Sequence, residues 1–266
     1  HVSIRNQLTA LKKDSGDYTN PHDVQLIYNA VIKQITKLNA VREEQQLSNA
    51  AQDVVDDTDA ADGGGGGGGH GGSSEFALAK NTRVDTMLVD VFYMLSLFFL
   101  TIGRGRECPA MFSQIGCMKQ LLDHMDESAV YTEADLMPFV SRIQELREMI
   151  KNDERQNKHP PQLTKLMSHK LEACQRVVNK LQHALSVISV ELLPIHQKLV
   201  QIRRQLNAAS ARPKPPKGEV KQLQEELRKI DGKRVDGKFL GPGGSSVPEG
   251  QEMLAGLLES LSLIHI

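Results

Sequence analysis

Apolar residues along this chain recur every three or four positions, and no alternation of period two appears beside them. That spacing belongs to helices with one face turned to a core. Ile4, Leu8 and Leu11 form a first short stripe. Asn20-Pro21 then supplies an N-cap and a proline at the first helical position, where its missing N–H costs nothing. Val24, Tyr28, Val31, Ile35 and Leu38 follow as a helical seam. Thr82-Arg83-Val84-Asp85 has the form of a capping box ahead of the most apolar stretch, Met87 to Ile102. A membrane span needs about 20 predominantly apolar residues, whereas Asp90, Ser96 and Thr101 interrupt this stretch, so it reads as a central buried helix. Gly103-Arg104-Gly105-Arg106 ends it, and Pro109 opens a helix with Met111 or Phe112, Ile115, Met118, Leu121, Leu122 and Met125. Thr132-Glu133-Ala134-Asp135 caps another, carrying Leu136, Phe139 or Val140, Ile143, Leu146 and Ile150. A polar loop from Asn152 to the helix-stopping pair Pro160-Pro161 follows.

The clearest pattern predicts one long helix from 162 to about 209. Cys174, Val178, Leu181, Leu185, Ile188, Leu192, Ile195, Leu199, Ile202 and Leu206 alternate four and three, a heptad seam able to serve as a partner surface. Pro194 falls inside it, so a kink or a restart is expected there. Unbroken, such a helix spans about 72 Å, against a diameter of about 47 Å for a compact chain of this size, and an elongated molecule follows. Partner helices are at hand in the stripes at 24–38, 136–150 and 220–230, which favours a self-contained bundle over an obligate dimer. Val220, Leu223, Leu227 and Ile230 mark one more helix, ending in a turn region from Gly232 to Phe239. Ser246-Val247-Pro248-Glu249 begins a last one with Met253, Leu254, Leu257 and Leu258.

Two segments repeat. Ile4-Arg5-Asn6-Gln7-Leu8-Thr9-Ala10 matches Ile202-Arg203-Arg204-Gln205-Leu206-Asn207-Ala208 at five of seven positions. Each precedes a loop and a heptad helix, Tyr28 to Arg42 in one and Val220 to Arg234 in the other. Residues 53 to 74 differ in kind: five aspartates lead into seven consecutive glycines, Gly63 to Gly69. With no apolar area to offset backbone entropy, the tract reads as a disordered linker with a reach of about 25 Å. A phosphate-cradling loop would need a Lys-Ser/Thr pair, which is absent.

Of 266 residues, 32 are Lys or Arg and 33 Asp or Glu, a balance that argues against a wholly basic nucleic-acid binder. Aromatics are 4% and Trp is absent, which disfavours a base-stacking platform. Three cysteines, 108, 117 and 174, fit no disulfide framework and no metal spacing, as for reduced thiols in cytoplasm or nucleus. Nine histidines show no ligand spacing, and no nucleophile elbow, Walker loop or dinucleotide fingerprint occurs, so no catalytic residue, cofactor or metal site is expected. Asp90, if buried, calls for a structural ion pair with Arg83, Arg104 or Arg106. A locally basic stretch over 194–240 includes Arg203, Arg204, Arg212, Lys214, Lys217, Arg228, Lys229, Lys233 and Arg234, a candidate patch for nucleic acid or anionic membrane. Interleaved Glu219, Glu225, Glu226, Asp231 and Asp236 give it the alternative of a solvated face. The N-terminal His1 marks a processed or truncated start without a signal peptide, and Leu261-Ser262-Leu263-Ile264-His265-Ile266 look like a translated sequencing adapter.

Leu193-Pro194-Ile195-His196, the run Ile202 to Leu206, the run Ile230 to Phe239 and Val247-Pro248-Glu249-Gly250-Gln251 resemble a fungal family of uncharacterised helical proteins, described only as a domain of unknown function. The resemblance covers roughly residues 1–50 and 80–260 and implies an intracellular protein of cytoplasm or nucleus, with no catalytic residues to carry over.

The expectation is therefore an all-α, elongated antiparallel bundle with a long helix kinked near Pro194 and an internal helix–loop–helix repeat. It is divided into an N-terminal part (1–50), a linker (51–78), a main bundle (79–260) and an artefactual tail (261–266). Functionally it reads as a non-enzymatic scaffold or adaptor with a protein partner and no small-molecule substrate. The alternative is basic-patch binding of nucleic acid or an anionic membrane surface.

Overall fold

In a computed structural model of the chain, the described residues are 20–56, 83–213 and 217–262, with Asn6, Thr9 and Ala10. Among them are eight helices packed antiparallel: α1 (Pro21–Asp56), α2 (Arg83–Thr101), α3 (Cys108–Ser128), α4 (Glu133–Arg155), α5 (Pro161–Ser186), α6 (Leu193–Ser210), α7 (Lys217–Asp231) and α8 (Gln251–Ser262). One two-stranded hairpin, β1 (Arg234–Val235) and β2 (Lys238–Phe239), lies between α7 and α8. The chain divides into two compact units, His1–Gly116 with Leu146–Lys170, and Cys117–Glu145 with Leu171–Ile266, so residues 79–260 are shared between them.

In the first unit, α1 starts where Asn20 was expected to cap it. The Asn20 Oδ1 accepts the His22 N–H at 2.9 Å, and Val24, Tyr28, Val31 and Ile35 are buried. The helix continues to Asp56, so residues 51–56, expected in the linker, are helical; the rest of the linker lies outside the described residues, as do the stripe Ile4, Leu8 and Leu11 and the cap Thr82. The α2 helix buries Leu88, Val91, Phe92, Leu95 and Phe99 on one face. At its end Gly103 takes φ 78°, while the Gly103 and Arg104 amides donate to the Leu100 and Phe99 carbonyls, the reversed bonding that closes a helix at a left-handed residue. Ser96, the polar interruption of this helix, is buried and bonds the Ala110 carbonyl and the Ser113 hydroxyl of α3. Among the described residues no helix is long and apolar enough to cross a membrane.

Two expectations are corrected here. The loop expected from Asn152 to Pro161 is shorter: α4 runs on to Arg155, and Pro161 opens α5, where a proline at the first position is tolerated. Asp90 is exposed on α2, so the buried ion pair expected of it does not form.

In the second unit, Thr132 caps α4 as read from the sequence: its amide and hydroxyl both donate to the Asp135 carboxylate, at 2.7 and 2.6 Å. The long helix expected over 162–209 is two helices. The chain leaves helical form at Ser186 and resumes at Leu193, with Pro194 in the first turn of α6. A proline ring clashes with the carbonyl four residues earlier and removes one backbone hydrogen bond, a cost the chain avoids by restarting with Pro194 in the first turn, so the outcome is the restart rather than a kink. The seam stays largely buried across this break: Cys174, Val178, Leu181, Ile188, Leu192, Leu199, Ile202 and Leu206 are core, and Leu185 and Ile195 pack against it.

From Ile188 to Leu261 a single apolar cluster joins the break, α6, α7, the hairpin and α8. The turn region expected from Gly232 to Phe239 contains this hairpin. Its register pairs Arg234 with Phe239 and Val235 with Lys238, around Asp236 and Gly237 at φ 50° and 78°. Two consecutive left-handed residues are what a two-residue turn between twisted strands requires, and Asp-Gly supplies them. The last helix starts at Gln251, later than the expected Ser246-to-Glu249 start. Leu261 and Ser262, read as part of a tail, lie in α8 with Leu261 buried; residues 263–266 lie outside the described ones. The first copy of the proposed repeat, residues 4–10, also lies largely outside them.

Gly250 is fixed by both conformation and space. It has φ 98°, and an added Cβ would lie 2.8 Å from the Ile188 Cα. Gly243 shares φ 98° but faces open space. We expect Gly250→Ala to cost at least about 2 kcal/mol, combining left-handed strain with backbone overlap, and Gly243→Ala only about 1 kcal/mol. Urea unfolding of the two variants measures this, and equal losses would refute the packing argument.

Candidate functional site

The eight described residues of the basic stretch divide into two kinds. Arg203 donates to the Ser260 carbonyl at 3.0 Å and ties α6 to α8. Arg204 reaches Asp135 at 2.6 Å, Arg212 reaches Glu219 at 3.1 Å, and Arg234 bridges Asp231 at 2.9 Å and the Gly237 carbonyl at 2.8 Å. The Asp135 carboxyl is held below its usual range: burial raises it, but the Thr132 and Arg204 bonds outweigh that. These arginines brace the fold.

The others stand free of such duty. Lys217, Arg228, Lys229 and Lys233 are exposed, and among the described residues none has an ion-pair partner; Lys214 lies outside these residues. Lys221 and Lys238, also exposed, extend the group. Lys217, Lys221 and Arg228 lie four and seven residues apart, along one stripe of α7 about 16 Å long. Glu219, Glu226 and Asp231 are engaged by Arg212, Lys198 and Arg234, which leaves Glu225 and Asp236 among the six cations. Within the hairpin, Val235 pairs across the strands with Lys238 and is 53% exposed, while Phe239 is buried on the opposite face.

The hairpin is held in place by a side chain that the sequence reading passed over. The Gln251 carboxamide accepts the Phe239 N–H at 2.9 Å and donates to the Phe239 carbonyl at 2.8 Å and the Pro248 carbonyl at 3.0 Å. It thus satisfies the backbone of β2 as a third strand would.

The first unit holds a second group of titratable side chains, also missed. Tyr28 Oη lies 2.8 Å from His159 Nδ1, and His159 Nε2 lies 3.5 Å from Glu107 and 3.9 Å from Asp153. Asp153, 1% exposed, accepts the Cys108 amide at 2.8 Å and so caps the N-terminus of α3 from another helix. The available signal was the register: Ile143, Leu146, Ile150 and Asp153 continue one stripe, which puts a carboxylate on the core face. Burial, reinforced by the Asp153 carboxylate, pushes the Cys108 thiol well up, and burial likewise raises Tyr28. His159 is held below the ordinary histidine range by burial, although the two carboxylates pull the other way. In the second unit His196 is 1% exposed with an unpartnered Nε2, and burial lowers it too. Among the described residues no three His, Cys, Asp or Glu side chains converge to hold a metal ion.

Cys108 and Cys174 are buried and Cys117 is exposed, so one of three thiols should react with a disulfide reagent in the folded protein and all three after denaturation. Cys117→Ser should abolish the native reaction, and a surviving fast thiol would contradict the burial. The depressed histidines also set a sign. Above the ordinary histidine value both states carry neutral rings; below it the unfolded chain takes up protons that the folded chain refuses. Stability should therefore fall from about pH 7.5 to about pH 5.5, and His196→Leu should flatten part of that fall. Urea midpoints across the range test it, and an unchanged slope in the variant would exclude His196 as a contributor.

Residues 185–265 match the family described as a protein of unknown function (DUF2408). The chain is similar to a CUB1 family protein of Schizosaccharomyces pombe, 29% identical over 259 residues, covering 97% of this chain and 49% of the relative. It is also similar to the Cu(2+) suppressing and bleomycin sensitive protein 1 of Saccharomyces cerevisiae, 27% identical over 267 residues, covering 90% and 45%. The chain thus spans about half the length of these curated relatives, and no solved structure matches it. The matched segment, 185–265, takes in the apolar cluster from Ile188 to Leu261 together with the free cation row, so this part of the chain is similar to the DUF2408 family and the chain as a whole is similar to fungal CUB1 family proteins.

Proposed function

We propose that the chain is a non-enzymatic, intracellular helical scaffold or adaptor of cytoplasm or nucleus that works through protein–protein contacts, without a small-molecule substrate. The observation that carries the reading is on α2. Tyr93, Leu97 and Leu100, 51%, 39% and 39% exposed, continue the outward stripe begun by Thr86 and Asp90 at spacings of four and three. Single exposed apolar residues are ordinary on a protein surface; three in register on one rigid helix form a ridge that an amphipathic helix of another protein can cover. The opposite face of α2 is fully engaged in the core through Phe92, Leu95 and Phe99, so the ridge is presented without freedom to turn inward. The name of the S. cerevisiae relative speaks of Cu(2+) suppression and bleomycin sensitivity and names no reaction, which is compatible with a protein that acts through others.

The variant Tyr93→Lys/Leu97→Glu/Leu100→Lys changes exposed positions only and should leave stability within about 1 kcal/mol of the native value. A photo-crosslinking residue at position 97 should join the native chain to a helical segment of another protein, and that protein should be lost from material co-purified with the variant. Identical co-purification by both chains, at equal helix content, would overturn the reading.

A further inference from the structure

We infer that the face formed by α7 and the hairpin binds an acidic protein segment that carries apolar side chains among its carboxylates. The inference deepens the adaptor reading, since it names the chemistry of one partner. Six exposed cations, Lys217, Lys221, Arg228, Lys229, Lys233 and Lys238, face solvent on these elements; of the five carboxylates there, Glu219, Glu226 and Asp231 are paired, and Glu225 and Asp236 have no ion-pair partner among the described residues. Neighbouring arginines are consumed by carboxylates that the fold places beside them, as Arg212 by Glu219 and Arg234 by Asp231. The surplus of positive charge is therefore local, although the chain as a whole carries -1. A chain so close to neutral gains little long-range attraction for polyanions in general, so what this face selects must complement it at contact.

Contact chemistry separates the kinds of polyanion. Val235 stands exposed beside Lys238 on the outward face of the hairpin, and the Gln251 clamp on Phe239 fixes that face. A valine among lysines adds nothing to a phosphate backbone. No aromatic side chain stands among these residues to stack on a base. One short apolar side chain is also too little to anchor a face in a bilayer. For a peptide it is a seat: an acidic segment can lay carboxylates along Lys217, Lys221 and Arg228 while one of its apolar side chains covers Val235.

The test uses the full chain and four labelled probes: an Asp/Glu-rich peptide of about 20 residues with interspersed leucines, the same peptide with serine for leucine, a DNA duplex and a single-stranded RNA of similar length, with phosphatidylserine vesicles as a fifth surface. Binding is read by fluorescence anisotropy and by vesicle sedimentation. The leucine-bearing peptide should bind tightest and weaken at least about tenfold between low and high salt. Arg228→Glu/Lys229→Glu/Lys233→Glu should weaken it at least about tenfold again, and Val235→Ser about threefold, the latter for the leucine peptide and not for the serine one. Lys217→Gln/Lys221→Gln gives a milder second variant, expected to lose binding in the same order, should the triple reversal disturb folding. Absence of peptide binding, peptide binding indifferent to both charge variants, or tighter binding of DNA, RNA or vesicles at this face would each overturn the inference. The α2 ridge variant should bind the peptide normally. Loss of a helical partner through that variant, with no peptide binding at α7, would leave the adaptor reading standing and remove this one.

Discussion

A proline costs about 3 kcal/mol inside a helix and little in a first turn, and the second unit is arranged around a helix that restarts at Pro194. With residues 187–192 outside both helices, the chain between Ser186 and Leu193 has backbone groups to satisfy by other means. The Ser189 amide finds the Glu249 carbonyl at 3.0 Å, which brings the approach to α8 against the break. That approach is close enough to require a residue without a side chain, and Gly250 supplies it against Ile188. Gln251, the next residue, then stands where its carboxamide can reach both backbone groups of Phe239. The break at Pro194 is thus linked, contact by contact, to a hairpin held with Val235 and Lys238 outward. The runs that first suggested a family, around Pro194, Ile230 to Phe239 and Val247 to Gln251, are the parts of this chain of contacts.

The first unit solves a different problem: how to keep a carboxylate in a core. Asp153 is retained because α3 begins beside it with amides that lack intrahelical partners, and the Cys108 N–H takes one oxygen. Lys158 and His159 lie 3.9 Å from the carboxylate, so the charge is neither bare nor fully neutralised. Burial and then the negative field of Asp153 raise the neighbouring Cys108 thiol, which sits as a buried residue at the start of α3. Tyr28, edge-on to both Phe99 and His159, closes the apolar side of the group. A polar cluster of this kind costs desolvation and returns positional specificity, because only one packing of α3 against its neighbours satisfies it.

How much of this was legible in the sequence follows from how local each cause is. Helix faces and caps are decided within a few residues, so the seam at Val24 to Ile35, the Thr132 cap and the burial of the Cys174-to-Leu206 stripe were all readable from spacing. The break at 187–192 was readable in kind but misplaced: Pro194 announces an interruption, while its start at Ser186 depends on Glu249, more than fifty residues away. Asp90 and Asp153 show the limit most plainly. Asp90 lies in the most apolar stretch of the sequence and Asp153 in a polar one, yet it is Asp153 that is buried, because the register relative to each helix's core face decides which side chain turns inward. The hairpin was passed over because two-residue strands carry too few side chains to show a period. Its Asp-Gly turn was the sole cue.

Among the basic residues, the sequence gives composition, whereas pairing is a property of the fold. Interleaved Glu and Asp suggested mutual neutralisation, and for Arg204, Arg212 and Arg234 that is what occurs. It does not extend to Lys217, Lys221 and Arg228: those three share one stripe of α7, Glu219 and Glu226 lie across the helix from it and pair with Arg212 and Lys198, and Glu225 is the carboxylate beside the stripe. Arginines take the structural roles here and lysines predominate in the free row. That division follows from chemistry: a guanidinium fork can serve two acceptors at once, as Arg234 does, whereas an ammonium on a flexible stem is best left in water until a partner orders it. The cations that stabilise the unit and those that stay in solvent are therefore separate sets, so the second set can be altered without loosening the first.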